Sequence, residues 1–256
     1  MLPAPSITPF TEESLKFLRS LARNNDRAWF DPRKAVYERT LKVPMLALIE
    51  RINQGILEIA PEYVRPPQKC MMRIYRDIRF SKNKQPYKTN VAAWWARAGL
   101  EKTSGGGFYL HLSATELHIA AGVYMPERDQ LLAIRRYLSE AGGNRHGELR
   151  RLIADRKLLS VLEPFDGLKL TRAPKGFSPE DAALDLLLNR QWGVSCNLSA
   201  AEALKPTVLK QILTRFERAL PMVTLLNEPL IAGLKTASES AARSVNKALF
   251  ALPLKG

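Results

Sequence analysis

The period of the hydrophobic positions changes twice along the chain. Leu15, Leu18 and Leu21 recur every three residues behind the capping hydroxyl of Thr11 and the acids Glu12 and Glu13, which predicts a first helix. Asp31-Pro32 supplies a cap and a first-turn proline for a second helix, and Pro44 opens a third whose stripe is Leu48, Ile52, Ile56 and Ile59. Pro61, Pro66 and Pro67 end that run. From residue 70 the pattern turns to alternation. CMMRIYRDIRF (70–80) reads as a long strand, VAAWWAR as a second, and FYLHLS with LHIAAGVY as a hairpin around Ala114-Thr115. That hairpin register sets Leu110 opposite Ile119 and Leu112 opposite Leu117 on one face.

Helical periodicity returns after Pro126 through Leu131, Ile134 and Leu138, stops at Gly142-Gly143, and resumes from Glu148 to Leu159. A short strand at Leu168–Leu170, a helix holding Ala183, Leu186 and Leu187, a strand QWGVSCNLS and helices after Pro206 complete the chain. Helices, then strands, then helices, without βαβ alternation, predict an α+β fold: N-terminal helices, a largely antiparallel central sheet and C-terminal helices. The expected division is one α+β domain over 1–226 and a helical C-terminal extension over 227–256.

Charge adds what periodicity cannot. The 256 residues carry 39 Lys and Arg against 25 Asp and Glu, a formal charge of +14, and a surplus of that size attracts polyanions. Half of it lies in residues 65–88, which hold eight basic side chains and one acid, Asp77. Read as a strand, the segment sends Met72, Ile74, Ile78 and Phe80 to the core and Arg73, Tyr75, Asp77 and Arg79 to the opposite face. Arg76 then falls on the core side and calls for a bulge or an acidic partner. The candidate anion contacts are Arg73, Arg76, Arg79, Lys82, Lys84 and Lys88, because guanidinium forks and mobile ammonium groups suit phosphate. Tyr75 and Tyr87 are supporting hydrogen-bonding or stacking groups. Asp77 is expected to orient an arginine, with metal binding or base catalysis as alternatives.

Three further features hold chemistry of their own. TSGGGFY (103–109) either turns consecutive amides toward an anion or serves as a flexible turn. His111 and His118 are cross-strand neighbours without an evident third ligand, so no metal is assigned. Trp94 and Trp95 must point to opposite faces, leaving one to pack at the rim or to stack a base. No cofactor fingerprint, catalytic serine elbow or zinc-protease motif is present, and Cys70 and Cys196 form no C-x-x-C pair. No signal peptide or membrane helix is read, so the expected address is the cytoplasm.

The strings FLRSLARNNDRAWF, RIYRDIRFSKNKQPYKTN, GGGFYLHLSATELHIAAGVYMPE and LTRAPKGFSPED resemble those of a family of bacterial and fungal proteins catalogued as domain of unknown function 2461. The resemblance runs from about Phe10 to Leu226. It implies a single α+β domain in which the basic segment is characteristic of the group, and it transfers no activity or catalytic residue. The function expected from the residues is binding or processing of a phosphate-bearing ligand, nucleic acid foremost. The alternatives are an enzyme acting on a small phosphorylated or carboxylated metabolite, and a structural or protein-interaction module.

Overall fold

The computed structural model describes residues 9–79, 81–100, 105–165 and 167–250, with side chains through residue 233. Helix α1, Glu12–Arg23, buries Leu15, Phe17, Leu18 and Leu21 on one face, as the periodicity predicts. The next helical stretch begins earlier than Asp31-Pro32 suggests. Asp26 is the cap, its carboxylate accepting from Trp29 N at 2.8 Å, and α2 (Arg27–Phe30) and α3 (Lys34–Tyr37) follow in quick succession.

Pro44 does not open a new helix. A π turn at Glu38–Lys42 leads directly into α4, Val43–Ile56, with Pro44 in its first turn. A proline lacks the N–H that the carbonyl four residues back would accept and crowds that carbonyl with its ring. The carbonyl in question belongs to Thr40, and it accepts instead from Ser14 Oγ of α1 at 2.8 Å. The wider turn and the donor from α1 together let the helix continue through the proline.

After a short α5, Pro67–Cys70, the sheet is built from β1 (Asn90–Ala96), β2 (Gly107–Ser113), β3 (Glu116–Val123), β4 (Glu163–Pro164) and β5 (Trp192–Ser199). The strands run antiparallel in the order β1-β2-β3-β5-β4. The hairpin has the expected register, with Leu110 opposite Ile119 and Leu112 opposite Leu117. Beyond β3 lie α6 (Arg128–Leu138), α7 (His146–Ile153), α8 (Arg156–Leu159), α9 (Leu184–Leu187) and α10 (Val208–Phe250). The expected helix from Glu148 to Leu159 is two, because Asp155 caps α8 through Leu158 N. The α+β class is as predicted.

One sheet face, carrying Val91, Ala93, Trp95, Phe108, Leu110, Leu112, Leu117, Ile119 and Val123, is buried against α4 and α10. Two buried asparagines tie irregular backbone to that core. Asn53 of α4 donates to Arg65 O at 2.7 Å and accepts from Trp95 Nε1 at 2.9 Å. Asn227 of α10 accepts from Gly106 N at 2.7 Å and donates to Gly106 O at 3.0 Å and to Tyr63 Oη at 2.9 Å. A Cβ on Gly106 would sit 3.1 Å from the Asn227 amide and 3.2 Å from Val223, so the glycine permits this close approach of α10.

Replacing Asn227 by Leu strips the amide of Gly106 and the phenol of Tyr63 of their partners in a fully buried place. The variant should lose about 2–4 kcal/mol of unfolding free energy, read from urea denaturation.

Candidate functional site

Residues 71–88 are not a strand. Among the described residues they make two isolated bridges, Met71 to Ala93 beside β1 and Tyr75 to Tyr87 within the segment. Arg76 N donates to Pro86 O and Lys88 N to Ile74 O, both at 2.8 Å, so the chain folds back on itself, with Asp77, Arg79, Lys82 and Lys84 at its tip. The predicted side-chain alternation survives without a ladder: Ile74 is buried while Arg73, Tyr75, Asp77 and Arg79 are exposed. Phe80 lies outside the described residues. The six basic side chains of this stretch disfavour the close, regular pairing of a sheet, and the two prolines Pro66 and Pro67 end the approach to it in a helical turn.

Side chains replace the ladder. Asn25, just after α1, donates to Tyr87 O and accepts from Tyr87 N, each at 3.0 Å. The Tyr87 ring is buried and stacks on Phe30 at a centroid distance of 4.1 Å, and Tyr75 lies 5.4 Å from Tyr87 on the exposed side. Tyr87 thus serves as an anchor, with its hydroxyl 3.5 Å from Asp31.

Between this segment and the α2–α4 stretch opens a groove of about 370 Å³. Its floor is Phe30, Tyr37, Leu46, Met71, Met72 and Ile74, and its rim carries Lys34, Glu38, Lys42, Gln68, Arg73 and Tyr75. The sequence string alone does not reveal Lys34, Lys42 and Tyr37 as lining residues. Their helical spacing is ordinary, and only the fold sets them opposite Arg73. Lys42 pairs with Glu38 at 3.4 Å, whereas Arg73 and Lys34 have no carboxylate within 4.0 Å among the described residues.

The structure divides the predicted anion contacts between two places. Arg73 and Tyr75 line the groove, and half-buried Lys88 lies close enough to Arg73 that burial, reinforced by that guanidinium, pushes its ammonium pKa down. Arg79, Lys82 and Lys84 stand on the exposed tip. There Arg79 forms a two-pronged pair with Asp77 at 2.8 and 3.0 Å, and Lys84 donates to Ile78 O. Arg76 is half-buried, as its core-side position suggests, but among the described residues no acid pairs with it and no regular strand exists to bulge.

The Arg79 guanidinium and N–H hold the Asp77 carboxyl down to about 2. So weak a base accepts protons poorly near neutral pH, and both of its oxygens are engaged by Arg79. Burial, with Asp31 beside it, raises the Tyr87 phenol, which stays protonated.

The glycine run is not an anion cradle, since Gly106 gives its amide to Asn227 and Gly105–Gly107 are buried; Thr103 and Ser104 lie outside the described residues. Trp95 is in the core. Trp94 is also buried, its indole lying over Gly107, so neither tryptophan is open to a base.

His111 and His118 are paired across β2 and β3 with rings stacked at 5.0 Å. His111 sits between Tyr109 Oη and Glu116 Oε1, both at 3.2 Å, and His118 bonds Asn197 Oδ1 at 2.5 Å. Among the described residues no three His, Cys, Asp or Glu groups are disposed to hold a metal ion. Burial, and then the neighbouring His118, push the His111 pKa below its ordinary value, against the opposing pull of Glu116. The folded state therefore disfavours protonation of His111, and this contribution to stability is present above about pH 6.5 and is lost as the pH falls below it. In an NMR pH titration, His111 should titrate below about 6.5, and His118→Asn should move its midpoint up.

No helix among the described residues is long and apolar enough to cross a membrane. No curated protein and no solved structure matches the chain. The model of one family, described as a conserved hypothetical protein (DUF2461), matches residues 13–225, a span holding α1 through the sheet and most of the packed length of α10. With the groove, its aromatic anchor and the whole central sheet inside that match, the chain belongs to the DUF2461 family.

Proposed function

We propose that this protein binds a phosphate-bearing ligand, nucleic acid foremost, through the groove and the basic tip beside it. One observation carries the reading: of the eight basic residues in 65–88, Arg79 is the one that pairs with a carboxylate within 4.0 Å among the described residues. The other seven have no carboxylate within 4.0 Å among the described residues, and Lys34 adds another cation from the facing wall. Like charges gathered without counter-ions cost folding energy, and an anionic ligand recovers that cost. A scaffold of internal ion pairs would instead surround the segment with acids.

The tip extends the basic surface beyond the groove, which suits a polymer with regularly spaced phosphates. The concave form of the groove also suits a small phosphorylated metabolite, the second reading. Salt dependence separates them, because a polymer releases many counter-ions on binding and a small ligand few.

A short fluorescein-labelled DNA oligomer should bind the wild type with an affinity that falls steeply with salt. Arg73→Ala/Lys34→Ala, checked for folding by circular dichroism, should bind more weakly, with the log–log salt slope smaller in magnitude by about 1.4 for a single strand. Equal slopes in the two proteins would remove the groove from the contact surface, and absence of binding at low salt would remove the polyanion reading altogether.

A further inference from the structure

The groove has a feature that phosphate recognition alone does not need. Its floor is aromatic and apolar, and its charged groups, the cations Lys34, Lys42 and Arg73 and the acid Glu38 that pairs with Lys42, stand on the rim. Tyr75 is the clearest case. The residue is 47% exposed although large aromatics are costly to leave in water, and its ring is held edge-on to Phe30 at 6.5 Å and tilted on Tyr87 at 5.4 Å. Phe30 and Tyr87 brace the ring, and about half of the residue stays open to solvent. Tyr37, buried, continues the surface inward, and its phenol is pushed up to about 12 by burial, with Tyr75 and Glu38 adding to it, so it remains a neutral hydrogen-bond donor.

From this arrangement, and resting on the phosphate-binding reading above, we infer that the groove seats one unstacked nucleobase against Tyr75, and that the ligand is single-stranded nucleic acid. Arg73 and Lys34 hold the flanking phosphates. A planar base gains from a rigid aromatic platform whatever its sequence, while its backbone needs cations at the edge of the slot and not at the bottom. A volume of about 370 Å³ has room for one nucleoside and none for a duplex, whose bases are stacked and paired and present no free ring face. The tip residues Lys82 and Lys84 lie on the same chain segment and give the continuing strand a basic track.

The test compares a labelled single-stranded DNA oligomer, the same oligomer annealed to its complement, and AMP, against wild type, Tyr75→Ala, Tyr75→Trp and Arg73→Ala/Lys34→Ala. Wild type should prefer the single strand to the duplex, and AMP should displace the oligomer only at far higher concentration. Tyr75→Ala should bind the single strand about 5- to 150-fold more weakly with its salt slope unchanged, and Tyr75→Trp should retain binding. Duplex binding as tight as single-strand binding, or Tyr75→Ala binding unchanged, would overturn the base slot while leaving the phosphate reading intact if the Arg73→Ala/Lys34→Ala slope still flattens. AMP binding as tightly as the oligomer would overturn the single strand in favour of a mononucleotide. Failure of wild type to bind any of the three would instead sink the phosphate reading on which the slot rests.

Discussion

The amide of Asn25 and the ring of Phe30 hold a stretch of chain that has little reason to stay put. Residues 71–88 carry a charge density that opposes compaction, and they make almost no ladder hydrogen bonds. Two hydrogen bonds from one side-chain amide to the backbone of Tyr87, and a stack of that ring on Phe30, fix the returning limb. Once Tyr87 is fixed, Tyr75 is braced, Arg73 faces the helical wall, and the groove exists. The geometry of the site therefore depends on a contact between α1's trailing end and a residue 62 positions later.

The same device recurs in the core. Asn53 and Asn227 each satisfy a backbone group that no regular element pairs, and Asn227 does so where water is excluded. Ser14 does the equivalent for the carbonyl freed by Pro44. Such groups are expensive to bury unpaired and specific once paired, so they determine how helices meet loops while apolar burial supplies the driving force. Gly105 and Gly106 belong to this scheme, since a Cβ on either would crowd Asn227 of α10.

The charge pattern acquires its meaning through that scaffold. An ion-pair network would have turned the basic segment into structure. Instead Arg79 alone among its eight cations meets a carboxylate among the described residues, and the charge faces outward beside an aromatic floor. Cations around a braced ring form a surface complementary to a chain of phosphates with planar groups between them.

Local pattern was enough to determine the α+β class, α1, the β2–β3 hairpin with its register, and the exposed side of Arg73, Tyr75, Asp77 and Arg79. Each of these follows from period and near-neighbour chemistry, which the chain carries in itself. The segment 70–80 alternates like a strand yet its described residues form none, because a strand needs a partner edge and the other described residues outside the segment offer it a brief bridge at Met71. The cap at Asp26, the passage through Pro44, and the partnership of Gly106 with Asn227 were decided by tertiary structure. So was the groove, since Lys34, Tyr37 and Lys42 sit on helical turns indistinguishable from any others until folding sets them across from Arg73. Periodicity records which way a side chain points, and only the packed chain decides what stands opposite it.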